Sequence, residues 1–290
     1  MEDPRAVLRR YGLAPRRSLG QNFLVDATAP QRIVDHADIQ PTDTVLEIGA
    51  GLGTLTAPLA ARAARVLAVE TDPALVAVLN DTFAASPRVE VIAGDILALD
   101  PAVLLQSELP PSPLPLWGAR LDTYRVVANL PYYITAAVLR HVLEARVRPV
   151  RLVVTVQREV AQRMVAQPGD MSLLSVSIQF YGQPRLVMRL KPGAFFPPPA
   201  VTSAVVCLDL YAEPPVAVPS VEFFFEVVRA GFAQRRKQLH NTLASTLQLD
   251  SGAVSEALHS VGLDARRRAQ TLSLPEWGTV VAALHPLCHP

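Results

Sequence analysis

The sequence is poor in cysteine, in long apolar runs and in any surplus of charge, and each shortage removes a class of protein. Its two cysteines, Cys207 in a strand-like run and Cys288 near the end, offer neither a disulfide framework nor a metal-ligand spacing, so no metal is expected. No run reaches the roughly 18 apolar residues of a membrane span. The first segment carries Arg5, Arg9, Arg10, Arg16 and Arg17 in place of an apolar signal-peptide core. No membrane partner is therefore expected, and the expected compartment is cytoplasmic. With 27 Lys and Arg against 26 Asp and Glu, the formal net charge is +1, which argues against coating a polyanion by bulk charge. Local basic clusters remain at Arg235-Arg236-Lys237 and Arg266-Arg267-Arg268. Such clusters are solvated faces unless the fold gathers them around one site.

What is present is ample apolar material. Half of the 290 residues are apolar, enough for a sizeable core and comfortable for two domains. Thr44 to Ile48 is an apolar run suited to a buried parallel strand, followed by Gly49-Ala50-Gly51-Leu52-Gly53 and a helix-like stretch through Ala61. A strand, a glycine turn and a helix open a nucleotide-type βαβ unit. A dinucleotide fingerprint would place its third glycine where Thr54 stands. The tighter spacing found here suits close approach of backbone to a ligand without phosphates, such as S-adenosylmethionine. Arg65 to Val69 predicts the second strand and ends in Glu70, placed to accept hydrogen bonds from ribose hydroxyls; a surface carboxylate is the plainer reading. Val89 to Ala93 predicts the third, followed by Asp95, either an acceptor for an adenine amino group or a helix N-cap, with Ile96 as an apolar wall.

The fourth strand, Tyr124 to Ala128, delivers Asn129-Leu130-Pro131-Tyr132. Asn-x-Pro is an ordinary turn signal. It is also a pocket in which amide and carbonyl oxygens face an exocyclic amine while a ring stacks on the base. Helices are expected over 135–145 and 157–166, and strands over 151–156, 172–181, 185–190 and 201–210. Together they imply a mostly parallel seven-stranded sheet with one antiparallel strand, the Rossmann-like α/β architecture of class I methyltransferases. Phe195-Phe196 with three prolines forms a stiff loop, from which Phe195 or Phe196 either closes the second face of a base stacked on Tyr132 or plugs the core. A proline-rich stretch at 110–115 is expected to be an extended surface loop. Glu213-Pro214-Pro215 reads as a linker, dividing a catalytic domain (1–212) from a small helical domain (213–290) with helices over 221–232, 235–246, 254–261 and 275–285. Arg235, Arg236 and Lys237 then stand at a helix start, where phosphate meets side chains and backbone amides together.

Taken in order, Leu19-Gly20-Gln21-Asn22-Phe23-Leu24, Glu47 to Gly53, Gly94-Asp95, Asn129 to Tyr132, Phe195 with Ser203-Ala204-Val205, and Phe232 to Lys237 resemble the ribosomal RNA adenine N6,N6-dimethyltransferases of the small subunit. The resemblance covers nearly the whole chain. It implies a cofactor site for S-adenosylmethionine made by Asn22, Leu24, Gly49, Gly51, Glu70, Asp95, Ile96 and Asn129. It also implies catalytic roles for Asn129, Leu130, Pro131, Tyr132 and Phe195, and RNA binding by Arg235, Arg236 and Lys237. The implied partner is small-subunit ribosomal RNA within an immature small subunit, met by a monomer. The alternatives are a large-subunit adenine dimethyltransferase of the macrolide-resistance type and a non-catalytic ribosome-assembly or RNA-binding factor. Departures from the family pattern include Ala50 where Pro is frequent, Met171-Ser172-Leu173 in place of a Tyr-Gly-Arg-like stretch, and Gln270 where Glu is common, read here as structural.

Overall fold

A computed structural model describes residues 2–105 and 119–289; the proline-rich stretch at 110–115 lies outside the described residues. The chain divides into two compact units, Met1–Ala161 with Arg185–Ala212, and Gln162–Pro184 with Glu213–Pro290. One boundary falls at the proline linker. Residues 162–184, however, group with the helical unit rather than with the sheet unit in which the sequence places them.

In the first unit, β1 (Phe23–Leu24) pairs with a later short strand. The sheet itself is built from β2 (Thr44–Ile48), β3 (Arg65–Glu70), β4 (Val89–Ala93), β5 (Ala119–Asn129), β6 (Val147–Gln157), β7 (Gly182–Leu190) and β9 (Ser203–Leu210), with β8 (Phe195–Phe196) left to pair with β1. The seven strands run in the order β4-β3-β2-β5-β6-β9-β7. β2 is parallel to β3 and β5, β3 to β4, and β5 to β6, whereas β9 is antiparallel to β6. Every residue of β2 is buried, as expected of a strand covered on both faces, and this explains its unbroken apolar run. From β2 the chain builds outward to β3 and β4 on one side, then returns to lay β5 and β6 on the other. In such sheets ligands bind beyond the carboxyl ends of the strands where the order reverses, here between β2 and β5.

Helix starts follow their caps. Asp72 accepts from Ala74 N before Pro73–Thr82, and Asp3 accepts from Arg5 N before Pro4–Arg10; the sequence reading did not anticipate this second helix. Ile33 and Val34 of Ala29–Ala37, Leu59 of Thr56–Ala60, and Val153 and Val205 of the sheet share one apolar core.

The second unit is all helical apart from the start of β7. Residues 172–181, expected as a strand, form the helix Leu173–Tyr181 instead. Leu174, Val176, Ile178 and Phe180 alternate as in a strand, but Ser172 and Ser175 close a reciprocal capping box: Ser175 N donates to Ser172 Oγ (3.2 Å) and Ser172 N to Ser175 Oγ (2.9 Å). Phe180 then stacks on Phe224 of the helix Val221–Phe232, with ring centroids 4.2 Å apart. Trp277, fully buried in the helix Leu274–Cys288, lies where a Cβ on Gly231 would come within 2.4 Å of its ring. Only glycine permits that approach. The backbone carbonyl of Gln270 accepts from Gly169 N and Met171 N, and its side-chain Nε2 donates to Gly169 O, so it secures the turn ahead of the capping box.

Candidate active site

The carboxyl ends of β2, β3 and β5 and the turns following β3 and β4 open into one pocket, roofed by residues 19–24 and by Phe195. All three glycines after β2 have positive φ (+74°, +61° and +79°), which side chains rarely adopt. Their duties differ. A Cβ on Gly53 would collide with Phe83 at 2.5 Å, so this glycine serves helix packing. Gly49 and Gly51 line the pocket, and Gly51 N donates to Glu70 Oε2 at 2.8 Å.

Three carboxylates and, among the described residues, no Lys or Arg line this pocket. Glu70, at the end of β3, also accepts at Oε1 from Thr71 N and Asp72 N, both at 2.9 Å. Burial pushes its pKa up, and these three backbone donors oppose the shift. Glu47 is more deeply enclosed. It accepts from Thr56 Oγ1 at 2.6 Å, and burial, with Glu70 nearby, raises its pKa to about 8. Asp95 sits exposed at the rim and accepts from Leu97 N at 3.0 Å, so the N-cap reading holds for it. Its other oxygen is left over for a ligand, and Ile96 beside it is buried. Lined by acidic side chains and, among the described residues, by no Lys or Arg, the pocket suits a cationic, phosphate-free adenosyl compound and offers no charged partner to a pyrophosphate. The residues therefore fit S-adenosylmethionine.

Residues 16–24 are held over the pocket by Asp72. This buried carboxylate receives Gln21 Nε2 at 2.9 Å and Arg16 at 3.1 Å, while Arg16 N donates to Gln21 Oε1 at 2.8 Å. Asn22 Nδ2 bonds Gly20 O at 2.9 Å, and Asn129 Nδ2 donates to Asn22 O at 3.2 Å. A carbonyl can only accept, so this contact fixes which end of the Asn129 amide faces the N-terminal segment. Leu24 is buried and pairs with Phe195 across the β1–β8 ladder.

Leu130 N is tied to Thr155 O on β6 (3.3 Å), and Pro131 O receives Ile134 N (3.2 Å), so the tetrapeptide is a braced turn as well as a pocket wall. Tyr132 bonds through its hydroxyl to Ser203 Oγ at 2.6 Å, which fixes its ring, and burial raises its pKa. Phe195 belongs to the apolar core, 2% exposed, and also lines the pocket. Phe196 is half-buried, with the Arg5 guanidinium 5.5 Å from its ring centre.

The basic cluster of the helical unit differs from expectation. Arg235, Arg236 and Lys237 are exposed in a turn, and the helix starts only at Leu239. Its first amides are not available to phosphate, because Leu239 N donates to Arg267 O (2.7 Å) and His240 N to Ala265 O (3.2 Å). Those same bonds bring the 265–268 segment alongside. Exposed Arg266 and Arg268 thereby join the first cluster, while Arg267 is engaged by Glu276, whose pKa it lowers to about 2.

Gln21, Asp72 and Glu47 were not singled out as site residues by the sequence. Glu47 lies within the run read as the strand Thr44 to Ile48; the one available signal was a carboxylate inside an otherwise apolar strand, which requires a partner.

A sequence profile described as "Ribosomal RNA adenine dimethylase" matches residues 12–284. Proteins named ribosomal RNA small subunit methyltransferase A from Moorella thermoacetica and Dehalococcoides mccartyi are 45% and 44% identical over 281 and 277 residues. These alignments cover 96% of this chain in both cases, and 96% and 91% of the relatives. Among solved structures, the 23S rRNA methyltransferase ErmE is similar at 27% identity and a TM-score of 0.70, covering 91% of this chain and 99% of that one. A dimethyladenosine transferase from Plasmodium falciparum superposes with a TM-score of 0.75 at 20% identity, covering 91% and 98%, and speaks for the fold.

Proposed function

The chain belongs to the ribosomal RNA adenine dimethylase family, and from that membership we propose that it methylates N6 of two adjacent adenines in small-subunit ribosomal RNA, placing two methyl groups on each. It is an S-adenosylmethionine-dependent methyltransferase. We assign it to the cytoplasm, acting as a monomer on an immature small subunit. The observation that carries the reading is the joining, at one sheet reversal, of a pocket lined by three carboxylates to the Asn129–Tyr132 turn.

Bound S-adenosylmethionine supplies a methyl group on a positively charged sulfur. The residues must hold it and present an adenine amine to it. In this reading Glu70 accepts from the ribose, Asp95 and Ile96 receive the cofactor adenine, and Gly49, Gly51, Asn22 and Leu24 close the cavity. Asn129 donates from Nδ2 to Asn22 O, so its Oδ1 is turned to accept from the substrate amine together with the Leu130 carbonyl. Those two acceptors favour a pyramidal nitrogen whose lone pair is withdrawn from the ring. No strong base is needed, and positioning supplies much of the acceleration, for which intramolecular analogies allow about 7–11 kcal/mol. Tyr132 stacks on the target base, Phe195 bounds its other side, and Pro131 stiffens the turn. Arg235, Arg236 and Lys237 hold phosphates through their side chains alone, since the neighbouring helix amides are already bonded.

The test offers unmodified small and large subunits to the purified protein with labelled cofactor, followed by mass spectrometry of the nucleosides. Dimethyladenosine from the small subunit is the expected product. Label confined to the large subunit would transfer the assignment to the macrolide-resistance type, and no modified adenosine from either would leave a non-catalytic assembly factor.

A further inference from the structure

Tyr133 follows the Asn129–Tyr132 turn directly and has no part in the roles given above. At 65% exposure it is the most exposed large apolar side chain among the described residues, and it stands at the rim of the pocket. A water-facing aromatic is ordinary when its loop is loose, but this one is braced. Ile134 N and Thr135 Oγ1 both bond Pro131 O, at 3.2 and 3.3 Å, and lead straight into the helix Thr135–Leu143. On one side the ring rests against Gly20. A Cβ added there would stand 3.3 Å from Cδ1 and Cε1 of Tyr133 and 3.3 Å from Cβ of Pro131, and the φ of +61° further favours glycine. Gly20 also closes the 3-10 turn Arg17–Leu19, donating from its N to Arg17 O at 3.0 Å. Arg17, in the turn that Gly20 closes, is exposed. A ring on a braced turn, supported behind by Gly20 and open to solvent in front, with an exposed arginine on the supporting segment, is the arrangement that receives a nucleobase with its phosphate.

We propose that Tyr133 is a stacking platform for the nucleobase adjacent to the one held by Tyr132, so that the second adenine of the target pair is parked at the rim while the first reacts. This rests on the function proposed above. The platform recognises a π-face, not a base edge, so it accepts the neighbour whether or not it already carries methyl groups.

The experiment replaces each adenine of the pair in turn with 2-aminopurine in reconstituted small subunits. That fluorescent base lacks an N6 amine and cannot itself be the target, so it reports on the neighbour. Wild type and Tyr133→Phe should quench it on binding, whereas Tyr133→Ala should not. The KM of Tyr133→Ala for natural subunits should rise about 5- to 150-fold, the span of one base–aromatic stack. Cofactor affinity and melting temperature should match wild type. Full quenching and an unchanged KM in Tyr133→Ala, with wild type active, would overturn the platform alone. A wild-type protein that methylates no subunit would instead overturn the function on which the platform rests.

Discussion

The pocket in the sheet unit and the exposed turn in the helical unit gather side chains of opposite type, acidic in one and basic in the other. One gathers Glu47, Glu70 and Asp95 with no lining Lys or Arg among the described residues; the other gathers Arg235, Arg236, Lys237, Arg266 and Arg268 beside one helix start. A formal net charge of +1 averages the two away. On the function proposed above, one chain serves two ligands of opposite sign, a sulfonium cation and a polyanion, by segregating acidic from basic side chains. Net charge therefore says little about either ligand.

The largest effect should come from Asn129→Ala, which removes the acceptor proposed for the amine and the bond to Asn22 O. Loss of a single aimed polar group of this kind costs about 100- to 1,000-fold in turnover. Single-turnover methylation should show that loss while subunit binding stays near wild type; parallel losses in both would blur the division of labour. Next comes the converse change, Arg235→Ala, Arg236→Ala and Lys237→Ala together. Subunit affinity should fall, and its log–log salt dependence should become shallower by about 2–3, near 0.7–0.9 for each phosphate no longer neutralised. Cofactor affinity measured by calorimetry should not move. An unchanged salt slope would remove the turn from the RNA interface.

The smallest effect sharpens the pocket side. Glu47 is buried, and its folded pKa of about 8 lies above the ordinary carboxylate value. Between those values the folded protein retains a proton that the unfolded chain has released, so the contribution of Glu47 to stability falls as pH rises through that window. Glu47→Gln keeps the acceptor for Thr56 and removes the titration. Melting curves should show the wild type losing ground against this variant from about pH 5 to pH 8, at roughly 2–4 °C per kcal/mol. Parallel curves would place a charged Glu47 in the folded state.

Much of this was legible in sequence because buried parallel strands are written as local apolar runs. Thr44–Ile48, buried throughout, has the expected limits, as does the edge strand Val89–Ala93, and the glycines and Glu70 sit at the ends of such runs. The helix Val221–Phe232 also has its expected bounds. Errors arose where local pattern and local chemistry competed. The alternation from Leu174 to Phe180 imitates a strand, yet two serines cap it into a helix. The start of Leu239–Leu247 is hidden because its amides are satisfied by Ala265 and Arg267 rather than by a capping side chain. The bonds among Arg16, Gln21, Asp72, Asn22 and Asn129 join distant segments, and no periodicity encodes them.

The pairing of Phe23–Leu24 with Phe195–Phe196 carries a consequence for the order of folding. The segment that roofs the pocket is made before the seven-stranded sheet, but its ladder partner is made only after six of the seven sheet strands have emerged. Closing so long a loop is entropically costly, and such non-local pairings are slow to form. The roof of the pocket is therefore completed late, when the sheet already stands. On the proposed function, methyl-donor affinity gained during refolding marks the moment Phe23–Leu24 finds Phe195–Phe196.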